Sequence, residues 1–394
     1  MLNHIEWTRM KSQIATIRSN DPSTNEAPRF EALNSVQWDF PDRTRQSDLE
    51  AIHPYPAKFI PELPGAVLDR LALPKGTIVL DPFVGSGTTL VECQKRGIES
   101  VGIDLNPIAC MIARVKTGKL PEHFEGELQK VLAVALDCKE AVIPNIPNLD
   151  HWFEKTIQAQ IAKLVFAIEQ SAQDCQDIFR LSLSSILVRI SNQDSDTRYA
   201  AVKKNIIAEQ IPTFFATACR RVSASMQNRN YPQATTTVLE RNTLSVTAKD
   251  IKARVGAIIT SPPYPNAYEY WLYHKYRMFW LGYDPLQVKE KEIGARAHFF
   301  KANHHTADDF VGQMRSTFEL IDSVLVRNGY ACFVIGRSKI HGKIVDNAKI
   351  IEEAAQNFRF KTVFRAERVI AANRKSFNLS HANIKTETVL VLAK

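Results

Sequence analysis

The sequence predicts an α/β fold in which a doubly wound, mostly parallel sheet is interrupted by a helical insertion. Short apolar strands alternate with helices over residues 51–116 and again over residues 251–394, whereas long apolar-periodic helices fill residues 117–250. Alternating strands and helices are typical of a parallel sheet covered on both faces. Residues 1–50 are polar with little periodicity, which predicts an N-terminal arm with one short strand near residues 36–40.

The first α/β segment, residues 51–116, is the predicted cofactor-binding half. Its elements are a helix over residues 60–71, a strand TIVLD, a glycine-rich loop, a helix TTLVECQKRG, a strand SVGID and a helix that starts at Asn106. Asn106 is a favoured N-cap and Pro107 a favoured first helical residue. The predicted catalytic half, residues 251–394, contains strands at AIIT, YACFVIG, KTVFRAERVI and ETVLVLA, with helices near residues 268–281, at FVGQMRSTFELIDSVLV and at KIIEEAAQNF.

Composition narrows the classes of function. The 394 residues are 45% hydrophobic and 23% charged, as in ordinary globular proteins. With no apolar run near ~18 residues and a polar start, MLNHIEWTRMKSQ, we expect a cytoplasmic protein. Lys and Arg exceed Asp and Glu by 50 to 42, a net charge of +8 that favours a polyanionic partner. The six cysteines have no CxxC spacing, so the sequence predicts neither a zinc site nor a disulfide framework.

Residues 78–106, IVLDPFVGSGTTLVECQKRGIESVGIDLN, have the pattern of a ligand-binding turn. A strand ends in an acidic residue, two glycines let the backbone approach a ligand, and a helix follows directly. These positions are Asp81, Gly85, Gly87, Thr88 and Thr89. Ligands of open α/β sheets bind outside the carboxyl ends of the strands. Asp104 ends the next strand, from which an acidic residue can bind ribose hydroxyls, so the pattern predicts a nucleoside cofactor.

Three other interpretations of this loop are possible. A P-loop requires a lysine where Thr88 stands, and a dinucleotide fingerprint requires a third glycine that does not occur before Gly97. The loop could also be a plain glycine turn. The combination of Asp81, Pro82, two glycines and Asp104 favours the cofactor site.

A second pattern follows the apolar strand AIIT, where the chain continues as Ser261-Pro262-Pro263-Tyr264. One proline is enough to end a strand, so two in succession overspecify a simple turn. We therefore expect this backbone to be held rigid for a ligand. The alternative is a Pro-Pro turn with Tyr264 packed against it.

The motifs DPFVGSGTT and TSPPY together resemble those of the S-adenosylmethionine-dependent DNA amino-methyltransferases, over residues 36–116 and 238–394. Residues 53–64, HPYPAKFIPELP, resemble the family segment around the methionine end of the cofactor. The resemblance implies a class I methyltransferase (Rossmann-like) fold with seven strands, S-adenosylmethionine as cofactor, double-stranded DNA as partner and no metal. It also implies a restriction–modification setting, with a cognate nuclease for the same DNA site. Residues 117–250 then become the candidate for target recognition.

The resemblance also assigns residues. The implied cofactor-binding residues are Asp81, Pro82, Phe83, Gly85, Ser86, Gly87, Thr88, Thr89, Asp104, Asn106 and Thr260, with Pro56, Ala57, Lys58 and Phe59 from the HPYPAKF segment. The implied catalytic residues are Ser261, Pro262, Pro263 and Tyr264. By resemblance, the Ser261 hydroxyl and the Pro262 carbonyl accept the hydrogens of an exocyclic amine, while Tyr264 stacks on a flipped base.

The base and the nucleic acid are less sharply defined. In this family Ser-Pro-Pro-Tyr is associated mostly with the N4 amine of cytosine. Adenine N6, RNA amino methylation and a catalytically silent binding subunit are the alternatives. Three residues are candidate DNA contacts: Arg198 and Tyr199 in a polar loop, and Arg337 after a strand. The alternative is that these residues form solvated surface. His53 could contact the cofactor or only introduce a helix.

Overall fold

The computed structural model describes residues 30–43, 46–196, 198–232, 234–266, 268–299, 304–370 and 386–394, except for the side chain of Tyr199. Most of the predicted arm lies outside these residues. The strand expected at residues 36–40 does not form: a turn at Trp38 follows a 3-10 helix, Ala32–Ser35. Trp38 is buried and its ring centroid lies 5.7 Å from that of Phe364, so side-chain packing rather than strand pairing anchors this segment.

The strands are β1 (Ile78–Asp81), β2 (Ser100–Asp104), β3 (Gln193–Ser195), β4 (Arg198–Ala201), β5 (Thr236–Glu240), β6 (Val255–Thr260), β7 (Leu325–Gly336), β8 (Ser338–Ile340), β9 (Lys343–Val345), β10 (Lys361–Val369) and β11 (Thr386–Ala393). A seven-stranded sheet has the order β10-β11-β7-β6-β1-β2-β5. Strand β11 is antiparallel to both neighbours, and the other pairs are parallel. The predicted class I, Rossmann-like doubly wound fold is confirmed by this topology.

The centre of the sheet positions the site. Every residue of β1 and β6 is buried, as expected for apolar strands covered by helices on both faces. From β1 the chain continues outward to β2 and β5, and it then returns to β6 on the other side of β1. The order therefore reverses between β1 and β6, and ligands of such sheets bind at the carboxyl ends of the strands at this point.

The helices are α1 (Glu62–Arg70), α2 (Thr88–Lys95), α3 (Pro107–Thr117), α4 (Phe124–Asp137), α5 (Leu149–Trp152), α6 (Lys155–Glu169), α7 (Gln173–Ile186), α8 (Ile211–Gln227), α9 (Ala248–Ile251), α10 (Tyr270–Tyr273), α11 (Lys275–Trp280), α12 (Pro285–Lys291), α13 (Ala307–Val324) and α14 (Asn347–Gln356). Short 3-10 helices lie at Ala208–Gln210, Thr243–Ser245 and Arg296–Phe299. The Asn106 side chain accepts a hydrogen bond from the backbone N–H of Ile108, so the predicted N-cap is confirmed. The helix expected near residues 268–281 is two short helices that meet at His274.

Along the chain, the helices α4 to α8 and the hairpin β3–β4 follow β2 and precede β5. Strand β5 falls within the range 117–250 but belongs to the main sheet, where Thr236 pairs with Ser100. The interior of the insertion is aromatic and aliphatic, with Phe124 stacked on Phe179 at 5.1 Å between centroids. Among the described residues, no helix is both long and apolar enough to span a membrane.

Candidate active site

Hydrogen bonds join the glycine-rich motif directly to TSPPY. The Thr260 hydroxyl donates to Oδ1 of Asp81 at 2.6 Å, and the Thr89 hydroxyl donates to the carbonyl of Ile259 at 3.3 Å. Burial raises the pKa of Asp81 to about 6, against the hydrogen bond from Thr260, which lowers it. The hydrogen bond between Asp81 and Thr260 therefore joins the two motifs. It lies in the protein interior, because these residues are only 2% and 0% exposed.

The backbone of the glycine-rich loop requires its two glycines. Gly85 and Gly87 have φ angles of 48° and 81°, in the left-handed region that favours glycine. A Cβ on Gly87 would lie 2.9 Å from Cα of Ala113 on α3. Helix α2 then begins at Thr88, so the loop turns tightly between strand and helix.

Asp104, at the end of β2, closes one side of this loop. Its Oδ2 accepts from the N–H of Gly85 at 2.9 Å, and its Oδ1 accepts from the N–H of Asn106 at 2.8 Å. Each carboxylate oxygen has a further lone pair for a ligand hydroxyl. The buried Nδ2 of Asn106 has no hydrogen-bond partner among the described residues. Asp104 and Asn106 therefore fit a hydroxyl-bearing ligand such as a ribose.

The HPYPAKF segment lies against the glycine-rich loop through Tyr55. A Cβ on Gly85 would lie 3.3 Å from the Tyr55 hydroxyl, and the Tyr55 ring stacks on Tyr270 at 5.6 Å between centroids. Neither tyrosine was among the predicted site residues. The only signal was the abundance of aromatic residues beside the two motifs.

The predicted residues of this segment have different environments. Pro56 is buried, and Ala57 has a φ of 47°, unusual for a residue with a side chain and typical of functional segments. The Lys58 ammonium donates to the carbonyls of Glu50 and His53 within its own segment, and burial lowers the pKa of Lys58 to about 8. Phe59 packs against the hydrophobic core that surrounds α1.

His53 has a structural environment. Its Nδ1 lies 2.6 Å from the carbonyl of Pro54, to which it must donate, and its Nε2 accepts from the Ser184 hydroxyl at 2.8 Å. Burial lowers the pKa of His53 well below its usual value, so the ring is neutral. These contacts anchor the segment to α7, a role that the sequence did not predict for His53.

The predicted catalytic motif leaves the sheet where β6 ends. Pro262 is buried, and Ser261, Pro263 and Tyr264 are partly exposed. The Tyr264 hydroxyl donates to Oε1 of Glu387 at 2.9 Å, and its ring packs against the hydrophobic core formed by β6, β7 and α13. Burial, and next the Glu387 carboxylate, raise the pKa of Tyr264 well above its usual value, whereas a hydrogen bond with Ser261 lowers it. Serine, tyrosine and glutamate side chains therefore meet at this point.

The chain after Tyr264 is fixed by Asn266. Its N–H donates to the carbonyl of Gly294 at 2.9 Å, and its Nδ2 donates to the carbonyl of Lys339 on β8 at 2.8 Å. Asn266 also has a left-handed φ of 57°, a conformation asparagine tolerates well. Prolines precede this anchor, so the predicted catalytic segment is restrained at both ends.

A further carboxylate, Glu292, was missed from the sequence. It accepts from the backbone N–H groups of Tyr270 and Trp271 at 2.9 and 2.8 Å. Burial raises the pKa of Glu292 to about 8 and that of Asp104 to about 6, and the negative charge of Asp104 raises the pKa of Glu292 further. Neither carboxylate has a cationic partner among the described residues, and buried carboxylates of this kind favour a positively charged ligand.

The candidate DNA contacts Arg198 and Arg337 are exposed. Arg198, at the start of β4, is 73% exposed, and its Nη1 lies 3.6 Å from Oδ2 of Asp194. Arg337, between β7 and β8, is 55% exposed and lies 3.7 Å from Glu367. The hairpin that carries Arg198 is tied to α11, because the buried Arg277 pairs with Asp196 and donates to the carbonyl of Ser184 at 3.1 Å.

Comparison with known proteins relates this geometry to a family. Residues 5–115 match the family model described as DNA methylase, N6_N4_Mtase. The resemblance to the DNA amino-methyltransferases is confirmed. The TSPPY motif lies outside the matched residues, and S-adenosylmethionine is the cofactor that methyltransferases of this family use.

Similar proteins include three Type II methyltransferases. M.MjaII of Methanocaldococcus jannaschii is 41% identical over 134 residues, covering 32% of this chain and 24% of that protein. M.MvaI of Kocuria varians is 28% identical, covering 36% and 34%, and M.BsoBI of Geobacillus stearothermophilus is 23% identical, covering 60% and 53%. The matches thus span from about a quarter to about half the length of these relatives.

A solved structure, the rRNA methyltransferase aviRa of Streptomyces viridochromogenes, is 13% identical with a TM-score of 0.34, covering 89% of this chain and 93% of that one. A TM-score this low does not establish a shared fold. The fold is identified from the strand order of the sheet.

Proposed function

We propose that this protein is a site-specific DNA methyltransferase that methylates the exocyclic N4 amine of cytosine in duplex DNA. The observation that carries the proposal is the direct contact of the two motifs. The Thr260–Asp81 hydrogen bond places the end of β6 beside the glycine-rich loop, at the point where the strand order reverses. A cofactor held by the loop and an amine held by Ser261 would then be neighbours.

The cofactor side of the site is formed by residues that fit S-adenosylmethionine. Asp104 and Asn106 would hold the ribose, and Gly85 and Gly87 would let the backbone approach the ligand. When bound, S-adenosylmethionine supplies an electrophilic methyl group on a cationic sulfur. The buried carboxylates Asp104 and Glu292 favour a cation in this region.

The amine side of the site addresses a specific chemical difficulty. The lone pair of an exocyclic amine is delocalised into its ring, so the nitrogen must become tetrahedral before it attacks. The Ser261 hydroxyl and the Pro262 carbonyl would accept its two hydrogens, and the consecutive prolines would hold these acceptors in place. Tyr264 would stack on the base after it leaves the duplex.

The chemical product tests this proposal. Duplex DNA is incubated with the protein and S-adenosylmethionine, digested to nucleosides and analysed by mass spectrometry, with RNA of the same sequence and a Tyr264→Ala protein in parallel. We expect N4-methylcytosine in the DNA only. Detection of N6-methyladenine would show that adenine is the target base. Methylation of the RNA would show that RNA is a substrate. If no methylated base is detected, the protein is a catalytically silent binding protein.

We also propose that the enzyme acts in a restriction–modification setting, because the similar proteins are Type II methyltransferases. A cognate nuclease would then cut the same DNA site. Methylated plasmid should resist cleavage by that nuclease, whereas plasmid treated with Tyr264→Ala should be cut.

A further inference from the structure

Three side chains with metal-ligating atoms meet at the edge of the helical insertion, two of them exposed and the cysteine buried. His123 directly precedes α4, and Asp174 and Cys175 lie in the first turn of α7. Nε2 of His123 is 3.3 Å from Oδ1 of Asp174 and 3.7 Å from Sγ of Cys175. These three atoms all lie within 4.8 Å of one another. They therefore form a compact set of nitrogen, oxygen and sulfur donors.

The two shorter distances between these donor atoms are compatible with a shared metal ion. Tetrahedral Zn²⁺ takes nitrogen and oxygen ligands at about 2.0–2.1 Å and sulfur at about 2.3 Å, which separates nitrogen from oxygen by about 3.3 Å and nitrogen from sulfur by about 3.6 Å. A hydrogen bond between imidazolium and carboxylate is shorter, about 2.7–2.9 Å. The observed 3.3 and 3.7 Å correspond to the metal geometry.

Without a cation the three groups interact with one another. Asp174 faces both the His123 imidazole and the Cys175 thiol, and burial, followed by the charge of Asp174, raises the pKa of that thiol. A bound cation would favour the thiolate and would take the place of these hydrogens.

A neighbouring carboxylate fixes the position of α7 relative to α4. Oε1 of Glu127, on α4, accepts from the N–H of Ala172 at 2.9 Å, and its Oε2 accepts from Lys130 at 3.0 Å. Oε1 thus holds the residue before α7, and Oε2 is engaged by a lysine of α4 itself. This contact keeps Asp174 and Cys175 opposite His123 without requiring Glu127 as a ligand.

We propose that His123, Asp174 and Cys175 bind Zn²⁺, with water as the fourth ligand. Imidazole and thiolate are the ligands that favour Zn²⁺ among the common divalent ions, and carboxylate is a regular third. On binding, the Cys175 S–H bond breaks, its proton leaves to solvent, and a sulfur–zinc bond forms without change of oxidation state. The ion would join the start of α4 to the start of α7.

Cobalt provides a direct probe, because Co²⁺ occupies zinc sites and absorbs light when bound to thiolate. Tag-free full-length protein is titrated with Co²⁺ and then with Zn²⁺. We expect a thiolate-to-cobalt charge-transfer band that saturates at one equivalent and disappears as Zn²⁺ displaces Co²⁺. Absence of this band in the wild-type protein would overturn the proposal.

Variants distinguish the site from adventitious binding. Cys175→Ser should abolish the charge-transfer band, and His123→Gln or Asp174→Asn should weaken Co²⁺ binding by at least about tenfold. The matched controls are Cys138→Ser, which removes a partly exposed thiol, and His151→Ala, which removes an exposed imidazole from the same insertion. A band that persists in Cys175→Ser, or that the controls reduce equally, would contradict the assignment.

Thermal melting tests Zn²⁺ binding without the cobalt absorption band. Zn²⁺ should raise the melting temperature of the wild-type protein and of both controls, because a ligand that binds only the folded state stabilises it. His123→Gln, an exposed substitution, should melt like the wild-type protein in EDTA and gain nothing from Zn²⁺. Equal gains in His123→Gln and in the wild-type protein would assign the effect to other residues.

Discussion

The Tyr264 hydroxyl donates a 2.9 Å hydrogen bond to Oε1 of Glu387, so the tyrosine of the proposed catalytic motif is held by a strand near the edge of the sheet. Glu387, on β11, also pairs with Arg368 on β10. Arg368 is 4% exposed and donates from Nε to the carbonyl of Trp38 at 3.0 Å. The orientation of the Tyr264 ring therefore depends on its hydroxyl and on a buried ion pair.

Tyr264→Phe is the first test of this dependence. The sequence alone suggests that phenylalanine should retain most activity, since a ring face makes the stacking contact. The structure shows that phenylalanine loses a hydrogen bond to a charged group, worth about 1.5–3 kcal/mol. We expect methyl transfer to fall about tenfold and cofactor affinity to stay unchanged. Tyr264→Ala should lose a further ~1–3 kcal/mol of base stacking.

Tyr330→Phe is the matched control for these variants. The Tyr330 hydroxyl, on β7, is buried and donates to the carbonyl of Leu71 at 3.1 Å, so its removal also costs a buried hydrogen bond. Thermal melting, calorimetry with S-adenosylmethionine and single-turnover methylation are measured for each protein. An equal loss of methylation in Tyr330→Phe would attribute the effect to stability. Full methylation by a well-folded Tyr264→Ala would rule out the proposed pocket.

Substitution of Asp104 tests the proposed cofactor site. Asp104→Ala removes the carboxylate proposed to bind ribose hydroxyls, and we expect S-adenosylmethionine binding to weaken by about 1.5–3 kcal/mol. Asp69→Ala is the control, because Asp69 forms a surface ion pair with Arg96. Calorimetry should show a loss for Asp104→Ala alone. Unchanged affinity in a folded Asp104→Ala would remove this residue from the site.

Glu292 gives a prediction about pH and stability. Its folded pKa of about 8 lies above its ordinary value of 4.5, so the folded protein binds more protons than the unfolded chain between these values. The stability that Glu292 contributes is present below pH 4.5 and is lost as the pH rises through 8. Glu292→Gln should therefore melt at a higher temperature than wild type at pH 8 and show a flatter profile.

The exposed substitution Glu209→Gln is the control for that profile and should reproduce the wild-type curve. A cationic cofactor should also favour the ionised carboxylates, so its binding should release protons. Calorimetry in two buffers of different ionisation enthalpy measures this release. Identical pH profiles for Glu292→Gln and wild type would show that the carboxyl is not perturbed by burial.

The sequence predicted most of the fold because central strands such as β1 and β6 are short apolar runs that alternate with helices along the chain. It also located the tight turn between β1 and α2, since Gly85 and Gly87 adopt a backbone that other residues avoid. The strand expected at residues 36–40 was wrong, because Trp38 is anchored by its buried ring and not by a ladder of hydrogen bonds.

The residues that support the site were not predictable in the same way. Glu292 and Glu387 belong to no motif, and Tyr55 lies in the HPYPAKF segment without a role that the sequence assigns to it. Each reaches its partner only after distant segments pack together. The same is true of the cysteine that we propose as a zinc ligand. Cys175 has no cysteine partner at short spacing, and its neighbour His123 lies on a different helix.

The last prediction concerns the DNA surface. Arg198 is 73% exposed, and an exposed pair such as Arg198–Asp194 is worth only about 0–1 kcal/mol, so the guanidinium can exchange it for a phosphate. We expect Arg198→Ala and Arg337→Ala each to weaken duplex binding and to reduce the slope of log affinity against log salt by about one. Cofactor binding should not change.

Arg220→Ala is the control, because Arg220 is also an exposed arginine of the insertion but pairs with Glu125 at 2.7 Å on the neighbouring helix. Fluorescence anisotropy with duplex DNA over a series of salt concentrations measures the slopes. The hairpin that carries Arg198 is fixed by the Arg277–Asp196 pair, so removing the Arg198 side chain should change a phosphate contact without unfolding the hairpin. If Arg198→Ala and Arg220→Ala keep the wild-type slope alike, Arg198 is solvated surface and the DNA lies elsewhere.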